Sequence, residues 1–323
     1  MLHLVSIIVA AVLAIASAGP ADAAVARARL PRDTARLSIK HIVVFGDDFS
    51  DNGNLFALAQ NQWPNPRLYY LGRFSDGLLW PEHLQRANNA TLVSWAFGGA
   101  TTDNEIAQGI SRSPAGIEYA VPGVKQQVEH NFLSTFNQSE SLATDSEQVL
   151  YIIWTGTNDY LLAARDGGDV SADLVQRVVA GIVSSMQLLV DQASATKFLI
   201  ISPPSIKRLP ITKELSAAAV DAVEALLPDH DSTLNTALCQ FRDKNTKASA
   251  AVLDYRAFEA RLFEEGERRG MLKLGTPCLD LAAQKVCADP NEHYYYDMSH
   301  ISAQAHYMFA QSVNQWLELH KDK

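Results

Sequence analysis

Four short stretches hold the residue types needed for acyl transfer to water. That reaction needs a nucleophile, an imidazole to take its proton, a carboxylate to orient the imidazole, and donors for the developing oxyanion. GDDFSD, Gly46 to Asp51, follows the apolar run His41 to Phe45. WAFGGAT, Trp95 to Thr101, carries paired glycines, Gly98 and Gly99, that leave backbone N–H groups open to a ligand. GTND, Gly156 to Asp159, follows VLYIIW and offers the side-chain amide of Asn158. DMSH sets Asp297 three residues before His300. Singly, each is ordinary: a Gly-Gly pair is usually a turn, a GTND stretch a helix cap, an Asp-x-x-His pair a surface hydrogen bond. Together they name three of the four parts. The fourth is out of place, because Asp48 stands where a strand feeding a tight turn and a helix would present a serine.

The elements that must position these stretches alternate along the chain. His41 to Phe45, Leu92 to Trp95, Val149 to Trp154, Lys197 to Ser202 and Ala250 to Asp254 are short apolar runs suited to buried strands. Helical spacing predicts a helix over Val170 to Gln192, with Val175, Val179, Ile182 and Met186 on one face. Further helices are predicted over Leu215 to Lys247 with a break at Pro228, over Ala257 to Arg269, and over Ile301 to His320 with Ala305, Phe309, Val313 and Trp316 as its stripe. Strand and helix in alternation mean a parallel sheet covered on both faces. Residues 103–148 are polar and read as a long connection with one or two short helices. Ligands of such sheets sit at the carboxyl ends of the strands, so substrate selection is expected there.

The chain has 323 residues, 47% of them hydrophobic, enough for one α/β core. Residues 1–23 read as a secretory signal peptide, with an apolar run from Leu4 to Ala18 too short for a comfortable span and small residues after it. Residues 24–40 read as a leader segment and 41–323 as a single domain. A secreted protein without a stable membrane anchor after cleavage is expected, and a monomer. The formal charge of −9 argues against nucleic-acid binding, which leans on basic surface. An oxidising compartment favours pairing Cys278 with Cys287 and leaving Cys239 free on a helix, the alternative being three reduced, buried thiols. Asn89 and Asn137 begin acceptor sequons for glycan.

In this order the motifs resemble those of the GDSL, or SGNH, family of esterases and lipases, whose first block reads G-D-S-x-S-D-x-G-N where this chain has Gly46 to Asn54. GGAT at Gly98 to Thr101, GTND, and Asp297 to His300 match three further blocks. GRFSDGLLWPEHL at Gly72 to Leu84 and PPSIKRLP at Pro203 to Pro210 resemble stretches of the secreted branch. The resemblance implies a three-layer α/β/α fold with a five-stranded parallel sheet and an ester substrate, a lipid or an acetylated carbohydrate, with no cofactor. It further implies that Gly99 and Asn158 donate to an oxyanion, that His300 is the general base, that Asp297 orients it, and that Asp48 occupies the nucleophile position.

An aspartate there has no hydroxyl proton to give up at neutral pH. Loss of a hydrolase's nucleophile can cost about a million-fold in turnover, with roughly a thousand-fold over water remaining. A carboxylate beside His300 should also raise the imidazole's pKa, so an Asp48–His300 ion pair is expected, with the Gly99 and Asn158 donors free to bond Asp48. Ser50 is no substitute, since two residues on in a helix it points about 200° away. A metal held by Asp48, Asp297 and His300 is a weaker expectation than a hydrogen-bonded cluster without one. Two readings result: a secreted GDSL-type carboxyl-ester hydrolase impaired by Asp48, and an inactive protein of the same fold that binds an ester, glycan or protein partner.

Overall fold

The computed structural model describes residues 39–136, 142, 145–165, 170–269 and 273–320. The expected signal peptide and Asn137 lie outside the described residues. The sheet has five parallel strands in the order β2-β1-β5-β6-β7: β1 is His41–Gly46, β2 Thr91–Ser94, β5 Val149–Trp154, β6 Lys197–Ile201 and β7 Ser249–Leu253. β1 and β5 are buried at every position, as uninterrupted apolar strands of a covered parallel sheet should be. The ladder already includes Lys40, whose N–H donates to Gln148 O at 2.9 Å and whose carbonyl accepts from Thr91 N at 2.8 Å.

Helices cover both faces, giving the three-layer α/β/α arrangement. They are α1 (Asn54–Leu58), α2 (Trp80–Asn88), α3 (Val124–Gln126), α4 (Leu133–Phe136), α5 (Thr157–Arg165), α6 (Ala172–Ala193), α7 (Ala217–Lys244), α8 (Tyr255–Arg269) and α9 (Ala303–Leu319). α2 packs on α9, and α6 packs on α7. Val175, Val179, Ile182 and Met186 are all buried on α6. On α9, Ala305, Phe309 and Val313 are buried, and Leu317 completes that stripe while Trp316 is only partly covered.

Three expectations need correction. Pro228 does not break α7, which runs unbroken from Ala217 to Lys244. Val223, Leu226, Leu227, His230 and Leu234 are buried on both sides of the proline, and that shared burial outweighs the roughly 3 kcal/mol a helix-interior proline costs. Residues 103–148 are more than a connection with short helices, because β3 (Gly109–Arg112) and β4 (Glu118–Val121) pair as an antiparallel hairpin. The turn after β1 does not run straight into a helix either. Residues 47–50 make one turn, in which Ser50 N and Asp51 N both donate to Asp47 O, and α1 starts only at Asn54.

Cys278 and Cys287 form a disulfide across a small hairpin, β8 (Leu279–Asp280) and β9 (Lys285–Val286). Cys239 is free and exposed on α7. Asn89 is exposed at the left-handed end of α2.

Candidate active site

Sheet register gathers the first three stretches. Gly46 is paired with Trp154 and Val44 with Ser94, so the residues that follow each strand leave one edge of the sheet side by side. Gly46 must be glycine: a Cβ there would lie 2.2 Å from Trp154 O, inside the neighbouring strand's backbone. Its N–H donates to Gln127 Oε1 at 3.0 Å, and its carbonyl accepts from Gln127 Nε2 at 2.8 Å and from Phe97 N at 3.1 Å.

Two donors converge on Asp48. Its Oδ2 accepts from Gly99 N at 3.0 Å and from Asn158 Nδ2 at 2.9 Å. Gly99 holds φ +86°, and a Cβ would meet Ile110 O and Ser111 N at 2.7 Å, so this N–H reaches the site only on glycine. The Asn158 amide is aimed by a second bond, to Ala100 O at 2.9 Å. Asp51 fixes the glycine loop from behind, its buried carboxylate accepting from the backbone N–H groups of Gly53, Asn54, Leu55 and Gly98. Burial outweighs those four bonds and pushes Asp51 up to about 6. Asp159 likewise stands at about 6, raised by burial and held by Thr102 N and Oγ1.

Asp48 Oδ1 lies 3.3 Å from His300 Nε2, and His300 Nδ1 lies 2.7 Å from Asp297 Oδ2. The imidazole is thus set between two carboxylates. Burial opposes its charge, yet Asp297 and then Asp48 push it up to about 10. Burial also opposes ionising Asp48, and the bonds and charge of His300, with the Asn158 and Gly99 donors, hold it below the usual carboxylate range. Asp297 is lowered in the same way, against burial, by His300, Tyr69 and backbone N–H groups. A charged imidazole cannot take a proton, so as arranged the site holds an anion and a cation in each other's reach.

All five residues singled out in the sequence, Asp48, Gly99, Asn158, Asp297 and His300, therefore meet in one cluster. Ser50 does not join it: it is fully buried, and its hydroxyl accepts from Trp80 Nε1 at 3.2 Å. No group of three or more His, Cys, Asp or Glu suited to a metal occurs among the described residues.

Sequence reasoning missed the supports of Asp297 and His300. Tyr69 donates its hydroxyl to Asp297 Oδ2 at 2.7 Å, and Phe74 stacks on the imidazole with centroids 4.5 Å apart. Trp63 lines the cavity and packs edge-on against both Tyr69 and Phe74. The aromatic-rich stretch Trp63 to Tyr70 thus both packs and builds the site. The signal available was its density of aromatic residues, which says nothing of where the rings go.

A cavity of about 340 Å³ opens beside Asp48 and His300. Phe49, Leu161, Leu162 and Leu209 form apolar wall, and Gln108 and Ser111 come from the hairpin segment. The connection expected to select substrate thus does reach the cavity.

Fold and site together define a doubly wound α/β protein whose strand-end loops bring Asp48, Gly99 and Asn158 together, within reach of His300 and Asp297 from the turn before α9. The profile of the GDSL-like Lipase/Acylhydrolase family matches residues 42–313, and the chain belongs to that family. It is 24% identical over 291 residues to the Thermolabile hemolysin of Vibrio parahaemolyticus serotype O3:K6, covering 85% of this chain and 63% of that protein. It is 28% identical over 205 residues to the Phosphatidylcholine-sterol acyltransferase of Aeromonas hydrophila, covering 62% of this chain and 54% of that protein. The chain thus spans less than two thirds of the length of either relative. Among solved structures, the extracellular lipase of Streptomyces rimosus aligns with a TM-score of 0.41 at 15% identity, over 85% of this chain and 99% of that one.

Proposed function

We propose that this is a secreted carboxyl-ester hydrolase of the GDSL type, built for acyl or acetyl esters, whose turnover is held off by Asp48. The observation that carries this reading is the double occupancy of Asp48 Oδ2 by Gly99 N and Asn158 Nδ2. In an active site of this class those donors would serve the oxyanion of a tetrahedral intermediate, and here a resident carboxylate takes them. With serine at 48, His300 would lose one of its two carboxylate neighbours, and its base function would be restored beside intact donors.

The name of one relative, a phosphatidylcholine-sterol acyltransferase, supports a lipid acyl ester as the substrate. The apolar part of the cavity wall, Phe49, Leu161, Leu162 and Leu209, could take an acyl chain, and Arg112 and Arg165 line the same cavity. A second reading, a binding protein for an ester, glycan or protein partner, is favoured by the same cavity remaining open beside Asp48.

The test is hydrolysis of short- and long-chain p-nitrophenyl esters by the native chain, Asp48→Ser and Asp48→Ala. Turnover by Asp48→Ser alone, about a thousand-fold or more above the native chain, is the expected outcome. Turnover by the native chain that vanishes in Asp48→Ala would instead require a carboxylate nucleophile and an anhydride intermediate, and would end this reading.

A further inference from the structure

Behind the imidazole lies a second buried polar cluster that ester chemistry does not touch. Glu259, on the second turn of α8, is 1% exposed, yet both of its oxygens are bonded. Oε2 accepts from Arg208 Nη1 at 3.2 Å, and Oε1 accepts from the hydroxyls of Tyr295 at 3.3 Å and Tyr294 at 3.5 Å. The Tyr294 hydroxyl also meets that of Tyr255 at 2.6 Å.

These partners come from the segments on either side of the base. Tyr294 and Tyr295 lead directly into Asp297 to His300, a turn closed by Tyr296 N donating to His300 O at 2.8 Å and Ser302 N to Tyr294 O at 2.8 Å. Arg208 precedes Leu209, a wall residue of the cavity, and Ile211 N donates to Met298 O at 2.7 Å, within the base's own turn. Asp297 and His300 lie outside the five-stranded sheet, so their placement depends on such tethers. Glu259 accepts from both segments and so ties both to α8.

We propose that Glu259, held by Arg208 on one side and by Tyr294 and Tyr295 on the other, is a positioning residue for the His300 imidazole. The proposal rests on reading Asp297 and His300 as the base pair, and it does not require the chain as it stands to turn over an ester.

The chemistry of the cluster supplies a readout. Burial pushes Glu259 up to about 7, against the opposing charge of Arg208 and the bonds of Arg208, Tyr295 and Ser205 N. The carboxylate can accept from Arg208 and both tyrosines; a protonated carboxyl has an O–H that the guanidinium cannot accept, and the Arg208 tether weakens. Groups facing Glu259 are Arg208 from the loop after β6, Tyr255 from α8, and Tyr294 and Tyr295 from the segment before the base. Those facing His300 are Asp48 and Asp297, with Asp47 near Asp48. Asp51 and Asp159 both stand at about 6, so variants at Glu259 and Arg208 are needed to assign any change near neutrality.

The experiment is an NMR titration of the His300 ring in the full chain with Asp48 in place, the signal assigned by its loss in His300→Gln. A shift inflection near pH 7 is expected, absent in Glu259→Gln and displaced to higher pH in Arg208→Gln, because the guanidinium charge favours the ionised carboxylate. An inflection that is missing in the native chain, or unchanged in both variants, overturns the proposal. Should Glu259→Gln fail to fold, the displacement in Arg208→Gln decides alone. In the Asp48→Ser background, Glu259→Gln should lower kcat about tenfold at pH 8 with KM changed by no more than about threefold, as expected for misplacement of a reacting group. If Asp48→Ser itself hydrolyses nothing, the hydrolase reading fails while the ring titration still decides the role of Glu259.

Discussion

The donor side and the base side of this site are built in different ways. Gly99, Asn158 and Asp48 follow the ends of three adjacent strands, so the sheet's own ladder delivers Gly99 N and Asn158 Nδ2 within 3.0 Å of Asp48 Oδ2. Asp297 and His300 sit on a turn ahead of α9 and are held by side chains: Tyr69 on the carboxylate, Phe74 against the ring and Glu259 through the preceding tyrosines. A donor pair fixed by backbone is insensitive to most substitutions and intolerant of a few. A base fixed by side chains should lose precision in smaller steps.

The contrast is sharpest at Gly46. Replacement by alanine sets a Cβ 2.2 Å from Trp154 O, and neither strand of the fully buried β1–β5 pair can move aside. We expect Gly46→Ala to destabilise the chain by more than about 4 kcal/mol or abolish soluble expression, measured by urea unfolding. A mild effect there would show that the strand-end frame is softer than described.

Next in size is the donor itself. In an Asp48→Ser background, Asn158→Ala should lower kcat by about 10² to 10³, the usual cost of one oxyanion donor. An equal rise in KM with kcat preserved would place Asn158 in substrate binding instead.

The base side carries the pH dependence. His300 is raised from near 6.5 to about 10, so its contribution to stability is complete below the unfolded-state value and is lost as pH rises through about 10. Unfolding free energy should therefore fall by a few kcal/mol between about pH 6.5 and 10, and Asp48→Asn should shrink that fall. A flat profile over that window would remove the ion-paired imidazole from the account.

The smallest effect belongs to Tyr69. Tyr69→Phe removes one bond from a buried carboxylate, and a cost of about 1–3 kcal/mol in chemical denaturation is expected. A larger loss than that of Gly46→Ala would invert the comparison.

This division also decides what could be read from the sequence. The five strands, the parallel sheet and the helix faces of α6 follow from apolar runs and spacing, because each is a local pattern that burial enforces. Asp48, Gly99 and Asn158 were visible because short motifs follow strand ends, where chain connectivity itself fixes the geometry. Tyr69, Phe74 and Glu259 were not, since they lie 228, 226 and 41 residues from the groups they support and no spacing rule links them. Pro228 misled for a related reason: proline's local cost is plain in sequence, and the burial around it that overrides that cost is tertiary. The hairpin β3–β4 was hidden by its short strands and alternating exposure within a polar stretch.

The central claim is that Asp48 occupies the donors and keeps His300 charged. It is tested most directly by following the His300 ring nitrogens by NMR from pH 5 to 11 in the native chain and in Asp48→Ser. The account predicts an imidazolium at pH 8 in the native chain, its main titration near 10, and a lower midpoint once the second carboxylate is gone. A neutral ring at pH 8 in the native chain, or the same midpoint in both proteins, would contradict it.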